Sequence, residues 1–352
     1  MPIISAESLA AFAARLFEAV GVGQRESQIV SESLVGANLR GYDSHGVMRI
    51  PFYVAAIRDG RVKPGQTLEI EHETAAALVC DGGWGLGQVL ARDLVGLLIA
   101  KAKLVGIACG TLRQAAHIGR VGEYAELAAE HGLASVICAN GHGSGQRVAP
   151  VGGKQGRLGT NPLSIGVPGG KEGPFILDFG TSATAEGKVR VKRIAGQSVP
   201  PGWILDADGN PTTDPNKLYG DPPGSILPMG GDQAYKGFGL AFMIEMLAGG
   251  LSGGQCVHPG APPPTGNDVL FLILSPEHLG GERHLLSQIA TLEPFVRNTA
   301  RRDGVDRIIL PGDPERELLA NRRVQGIPID EGNWAELVKL ARTMDVVVPK
   351  VS

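Results

Sequence analysis

The segment Asp43-Ser44-His45-Gly46-Val47-Met48-Arg49 sets a histidine on a polar turn and an arginine four positions later. If a helix begins there, the two side chains share one face. One chemistry that needs both is the reduction of a 2-oxo acid. An arginine fork grips the carboxylate, and a proton donor titrating near neutrality serves the carbonyl oxygen. A capping Ser or Asp beside a surface His and Arg gives the same spacing, so the residues alone leave both readings open. A second segment, Gln114-Ala115-Ala116-His117-Ile118-Gly119-Arg120, places His117 at a strand-to-helix turn with Arg120 opening the helix. Helix N-termini favour anions, so this turn can hold part of a substrate or a phosphate. A capping histidine has the same look.

Four further segments carry weaker signals. They are Leu158-Gly159-Thr160-Asn161-Pro162, Leu177-Asp178-Phe179-Gly180-Thr181-Ser182 followed by Glu186-Gly187-Lys188, Tyr235-Lys236-Gly237, and Leu310-Pro311-Gly312-Asp313. Asp178, at a strand end before small hydroxyl residues, can hydrogen-bond a catalytic imidazole or a sugar hydroxyl. Turn-forming residues would read alike. Lys236 opens an apolar helix, where a phosphate can meet both charge and amides. No clustered ligand set has the spacing of a metal site, and none is expected.

These residues need elements to position them. Ser5 and Ser8 can cap a first helix whose apolar positions are Leu9, Phe12, Leu16 and Val20. A second helix is predicted from about Glu26 to Arg40, and a third ending before Lys63-Pro64-Gly65. From about residue 74, the runs AAALVCDG, GIACGTLR, ASVICAN, NPLSIGVPG, PFILDFG and DVLFLIL read as short strands. Helices are predicted at 88–104, 120–131 and 236–251, a loop at 253–268, and helical pattern again after 282. The order suggests an α+β fold. Its expected divisions are a helical part at 1–73, an α+β part at 74–282, and a C-terminal helical part at 283–352 that packs back on the first.

Composition sets the bounds. The 352 residues, 43% hydrophobic and 20% charged, suffice for two cores. A net charge of −3 without basic tracts argues against nucleic acid or an anionic membrane as partner. The N-terminus lacks a secretory pattern, no apolar run is long enough to span a bilayer, and a cytoplasmic location is expected. Cys80, Cys109, Cys138 and Cys256 are dispersed and read as reduced thiols. The glycines at 82, 83, 85 and 87 imitate a dinucleotide fingerprint after a strand. Gln88 stands where its third glycine would fall, and no ribose-binding acid ends the next strand, so a tight loop against a neighbouring strand is the better reading.

In order along nearly the whole chain, DSHGVMRIPFY, HIGRVGEYAE, RLGTNP, LDFGTSATAEGK, PPGWILDADGNPTTDP, YKGFGLAFMIE and LPGDPE resemble the malate/L-lactate dehydrogenase family of NAD(P)-dependent oxidoreductases, closest to its hydroxycarboxylate dehydrogenase branch. The resemblance implies a non-Rossmann, largely antiparallel nucleotide-binding sheet beside a helical lobe built from both chain ends. It further implies NAD or NADP as cofactor, a small carboxylic acid as substrate, and a homodimer with active sites near the interface. By position, His45 and His117 match histidines assigned the proton in different members; His45 is favoured here, with His117 orienting substrate. Arg49 matches the carboxylate-binding arginine, joined at the substrate by Ser44 and Thr160, and Asp178 is placed with the catalytic group. The matching cofactor contacts are Asn140, Asp178, Thr181, Ser182, Lys236 and Pro311-Gly312-Asp313. His117, Thr160, Asn161, Phe179, Gly180, Lys188 and Gly237 join them from the same motifs. Two departures are PGD in place of the usual PGE, and a longer approach, GDQAY at 231–235, to Lys236. The implied activity is that of a 2-hydroxy acid dehydrogenase. A cyclic imine carboxylate reductase and a catalytically silent acid-binding relative are the rival readings.

Overall fold

The computed structural model describes residues 1–260 and 266–351. In chain order the elements are β1 (Ile3–Ile4), α1 (Ala6–Glu18), α2 (Gln24–Leu39), single 3-10 turns at Asp43–His45 and Val47–Arg49, α3 (Ile50–Arg58), β2 (Glu69–Glu73), β3 (Ala77–Asp81), α4 (Gly87–Val105), β4 (Ile107–Ala116) and α5 (Gly122–Glu130). The middle of the chain supplies β5 (Ala134–Asn140), β6 (Pro162–Val167), β7 (Phe175–Gly180), α6 (Glu186–Ile194), β8 (Ile204–Leu205), β9 (Pro211–Thr212), β10 (Ser225–Ile226) and α7 (Ala234–Ile244). The last part holds β11 (Gly266–Leu274), α8 (Glu282–Arg297), α9 (Asp313–Gln325), β12 (Ile327–Pro328) and α10 (Glu331–Arg342).

Seven strands form one mixed sheet in the order β2-β3-β4-β11-β5-β6-β7. Only β3 and β4 pair in parallel, and α4 crosses between them. The other five pairings are antiparallel. One core lies where α4 and α5 cover the sheet: Leu90, Leu94, Leu98 and Tyr124 pack with Leu112, Ile137 and Phe271. The glycine-rich turn at 82–87 lies along β4, with Gly82 N–H bonded to the Arg113 carbonyl and Ala116 N–H to the Gly85 carbonyl. A Cβ at Gly87 would stand 2.0 Å from the Ala116 carbonyl oxygen, so only glycine lets α4 start this close to β4.

The second core joins both chain ends. Ser5 caps α1 through its hydroxyl, and Leu9, Phe12, Leu16 and Phe17 turn inward at helical spacing. They pack with Leu34 of α2, Ile50 and Tyr53 of α3, and Ile327, Leu337 and Ala341 from the far end of the chain. Between β1 and β12 there is a two-residue antiparallel ladder. Helix α8 lies elsewhere: its Glu293 accepts from the Lys171 N–H at 3.1 Å, on the turn between β6 and β7.

A third, smaller core gathers Val148, Leu158, Val189, Ile204, Leu218 and Ile226 around a three-stranded sheet, β10-β8-β9, and α6. Sequence patterning did not anticipate it, because strands of two residues have no measurable alternation. Helix α7 runs on into a wide π turn over Glu245–Gly250. The loop expected at 253–268 is described only to 260, and β11 already begins at Gly266; residues 261–265 lie outside the described residues. All four cysteines are free thiols. No helix among the described residues is long and apolar enough to cross a membrane.

Candidate active site

His45 ends the first of two 3-10 turns that link α2 to α3. The turn is fixed from both ends of the chain. Asn38 of α2 accepts the Val47 N–H at 2.9 Å and donates to the Asp43 carboxylate at 2.7 Å. Arg322 of α9 pairs with that same carboxylate at 2.8 Å. Gly46 is required here, because a Cβ would stand 2.2 Å from the Asn38 side-chain oxygen. Within the turn, the Ser44 hydroxyl meets His45 Nδ1 at 3.0 Å, and Arg49 donates from Nε to the Ser44 carbonyl at 2.7 Å.

The end of β4 brings the second histidine to the first. The His45 and His117 rings stack with centroids 5.5 Å apart and planes 26° from parallel. His117 is anchored on its other side: Tyr53 Oη lies 2.6 Å from its Nδ1, and the Gly119 N–H donates to the same nitrogen at 3.2 Å. Gln88 in turn donates to the Tyr53 oxygen at 2.9 Å. The Ile118 N–H is held by the Asn267 side chain at 3.0 Å.

Electrostatically this is a site for an anion. Burial and the Arg49 and Arg120 guanidiniums push the His45 imidazole down to about 3. Burial, Arg49 and His45 lower His117 well below its usual value. Among the described residues, Arg49 has no ion pair with a carboxylate, and its only hydrogen bond uses Nε. Both terminal nitrogens are left to bind a guest. A half-buried, unpaired guanidinium next to two neutral imidazoles is costly unless something negative completes it.

A cleft of about 900 Å³ opens in front of His45. Thr160, Asp178, Phe179, Gly180, Ser182 and Lys188 line it from the sheet side, together with Ser44, Arg120 and Glu315. Thr181 sits just beneath, its hydroxyl donating to the Thr160 and Asn161 carbonyls at 3.1 Å each, which ties the end of β7 to the 158–162 turn. Ser182 donates to the Thr184 carbonyl at 2.8 Å. Eight of the anticipated positions thus line one cleft, counting Ser44 and His45, while Arg49 and His117 are not among its lining residues and reach it through their contacts with Ser44 and His45.

Other anticipated contacts are spent inside the fold. Asp178 bonds to no imidazole: its carboxylate accepts the Gly122 N–H at the start of α5 at 2.9 Å and faces Arg120 at 3.8 Å. Burial still pushes it up to about 6. The amides of Asn140 and Asn161 both donate to Glu245 of the π turn, at 3.0 and 2.8 Å. Asp313 accepts from Arg297 at 2.8 and 3.1 Å, from Arg316 at 2.6 Å and from the Leu310 N–H at 2.8 Å. These pairings revise the expectation that the three side chains face a cofactor. Lys236 projects to solvent over Tyr235, and Gly237 packs against Met229, outside the residues that line the cleft. Pro311 is exposed and Gly312 buried behind β7, while their neighbours Pro314 and Glu315 reach the cleft.

Sequence reading missed Asn38, Tyr42, Tyr53, Gln88, Arg120 as a cleft residue, and Glu315. Tyr42 donates toward the Asp178 carbonyl and Glu315, each at 3.1 Å. Gln88 had a visible signal, a polar residue where the glycine fingerprint fails, which in the structure is fully buried. No group of three metal-binding side chains occurs among the described residues.

A family model for malate/L-lactate dehydrogenases matches residues 4–338 of the chain. Hydroxycarboxylate dehydrogenase B of Escherichia coli K12 is 36% identical over 341 residues, which cover 96% of this chain and 93% of that protein. The solved sulfolactate dehydrogenase of Methanocaldococcus jannaschii superposes with a TM-score of 0.86 at 32% identity, covering 98% of both chains. A Pseudomonas syringae delta1-piperideine-2-carboxylate reductase superposes at 0.82 with 30% identity, covering 97% of this chain and 100% of that one. The chain belongs to the malate/L-lactate dehydrogenase family.

Proposed function

We propose that the protein interconverts a 2-oxo acid and a 2-hydroxy acid by hydride transfer, with NAD or NADP as cofactor. One observation carries the reading: Arg49, with two unpartnered terminal nitrogens, is bonded through Nε to the Ser44 carbonyl and acts on the stacked His45 and His117, and Ser44 and His45 line a large cleft. The arginine grips the substrate carboxylate in a fork. That places the adjacent C2 oxygen against the imidazoles, where His45 exchanges the proton and His117 orients the oxygen. Burial is the main cause that keeps both rings neutral and the Arg49 charge adds to it; a substrate carboxylate on Arg49 offsets that second part and raises their affinity for a proton.

The cleft suits a nicotinamide dinucleotide. Its volume of about 900 Å³ lies within the range of small-molecule sites, which run to roughly 1,000 Å³. Lys188 lines it without an acidic partner among the described residues, and Arg120 has a buried Nη1 without a hydrogen bond. When bound, the nicotinamide supplies or accepts the hydride. Thr160, Phe179, Gly180, Ser182 and Lys188 would hold the dinucleotide, with Thr181 and Asp178 stiffening the strand end beneath it. This nucleotide-binding sheet would work without the glycine-rich phosphate loop of a Rossmann fold.

The chain is proposed to act as a cytoplasmic homodimer. On α7 and its π extension, Tyr235, Phe242, Met243 and Leu251 are 50–62% exposed, an apolar strip suited to a second copy. Lys236 and Gly237 lie beside that strip. The likeness to the piperideine-carboxylate reductase supports one second reading, a cyclic imine carboxylate as substrate. A screen of 2-oxo acids and a cyclic imine with NADH and NADPH, read by loss of nicotinamide absorbance, tests both. Turnover of the acids supports the main reading, faster turnover of the imine replaces it, and no turnover of anything overturns both.

A further inference from the structure

We propose that Tyr53 and Gln88 are positioning residues that lock His117 as a neutral imidazole with its proton on Nε2, making it a fixed hydrogen-bond donor and leaving His45 as the group that gains and loses the proton. The division of labour rests on the reading above; the lock does not.

The argument starts from the backbone. The Gly119 N–H donates to His117 Nδ1 at 3.2 Å, and a backbone N–H has no other role to play, so Nδ1 offers a lone pair. Tyr53 Oη lies 2.6 Å from that same nitrogen and 3.5 Å from the His117 carbonyl oxygen; with Nδ1 already an acceptor, the phenol gives its hydrogen to the nearer atom, the nitrogen. Its own lone pair receives the Gln88 Nε2–H at 2.9 Å. Each assignment forces the next, from α4 through α3 to the end of β4, and the proton of the neutral ring is left on Nε2. Among the described residues, that Nε2 has no hydrogen-bond partner, and it is not a buried, closed-off atom. The chain is rigid where it matters: Gln88 is fully buried and Tyr53 nearly so.

Charge reinforces the lock. The groups that face the ring are Arg49 and His45 from the 3-10 turns, with Glu123 of α5 felt through Tyr53. The nearest full charge is positive, and burial adds to it, so a second proton on His117 is opposed from both sides. Burial holds the Tyr53 phenol protonated, which keeps its O–H available to donate.

His45 is built differently. Its Nδ1 meets only the Ser44 hydroxyl at 3.0 Å, a group able to donate or accept. Either tautomer is therefore open to it, as a proton carrier requires. In reduction, a bound reduced nicotinamide would supply the hydride for C2, and the C2–O π pair would move onto oxygen. Protonated His45 gives that oxygen its Nε2 proton and ends neutral, with Nδ1–H on Ser44. Oxidation runs the same steps in reverse. His117 donates one hydrogen bond to the oxygen throughout and exchanges no proton.

The test is a two-bond proton–nitrogen correlation spectrum of the full chain with 15N-labelled histidine and no cofactor, with the His117 signals identified from their loss in His117→Asn. The expected spectrum shows Nδ1 unprotonated and Nε2 protonated, unchanged from about pH 5.5 to 8.5. An Nδ1–H tautomer, or protonation of the ring inside that range, overturns the lock. Tyr53→Phe and Gln88→Leu should each admit a second, Nδ1–H population. In an active enzyme Tyr53→Phe should also lower kcat roughly two- to tenfold with the cofactor KM unchanged, the scale of one neutral hydrogen bond. A wild-type spectrum and kcat in Tyr53→Phe would reduce Tyr53 to packing and refute its role. The wild-type spectrum alone decides the tautomer, so the test survives a variant that does not fold. An inactive protein with the expected spectrum loses the proposed function and keeps the lock; an active one with Nδ1–H loses only the lock.

Discussion

Replacing Arg49 by methionine removes the guanidinium and keeps much of the side-chain volume. In the native site Nε is committed to the Ser44 carbonyl, so the substrate carboxylate has the two terminal nitrogens to itself. A hydrogen bond to a charged group contributes roughly 1.5–3 kcal/mol, and water replaces part of that in the variant. Two such bonds therefore amount to about 3 kcal/mol, on the order of a hundredfold in kcat/KM for the acid. The cofactor KM should move less than about threefold, since no proposed cofactor contact involves Arg49. A second signature comes from charge. Arg49 is the nearest cation holding the His45 imidazole down, so its loss raises that pKa. Oxidation needs His45 neutral, and the acid limb of kcat/KM, which reports the free enzyme, should shift to higher pH. Steady-state kinetics with each substrate varied across pH is the assay. An equal rise in both KM values, or an acid limb that moves down, would refute the carboxylate role.

His45→Asn should cut kcat by about 10²–10⁴ while leaving cofactor affinity, measured by fluorescence titration, nearly unchanged. Near-normal turnover would give the proton to another group. The same variant should flatten acid destabilisation. The folded His45 value of about 3 lies below the ordinary 6.5, so the unfolded chain binds the extra proton first. Its stabilising contribution is present above about pH 6.5 and lost as pH falls toward 3, which urea melts of both proteins can follow. Asp313→Asn should lower stability by roughly 3 kcal/mol by leaving Arg297 and Arg316 without their shared partner. Its cofactor KM should stay within about twofold; a large rise in KM with an unchanged melt would return Asp313 to the cofactor site.

Six of the seven strands of the main sheet were legible as short β-branched or apolar runs closed by glycine or proline, and ALVCD, ASVICAN and DVLFLIL appear as β3, β5 and part of β11; the exposed edge strand β2, EIEHE, has no apolar run and was not. The strand order was not legible either. Nothing local tells β11, the last strand of that sheet in sequence, to insert between β4 and β5; that is decided by which faces bury best when all are present. The histidines and Arg49 were legible as chemistry, since polar turns between helices and strands are where a fold presents reactive groups. What could not be read was occupancy. Asn140, Asn161 and Asp313 are residue types that suit a cofactor, yet the two amides are claimed by the buried, distant Glu245 and Asp313 by Arg297 and Arg316. Tyr53 and Gln88 were hidden for the converse reason, as residues of apolar helices whose polar atoms meet only in three dimensions.

The clamp on the histidine turn also has a consequence in time. Asp43 is held by Arg322, and β1 waits for β12, so groups from the first fiftieth to the last tenth of the polypeptide must meet before His45 is fixed. A ribosome delivers them in sequence, at about 5–20 residues per second. For all that interval the nascent protein can fold its sheet and yet own no assembled reaction centre. Competence arrives only with the final helices, as one late, long-range closure.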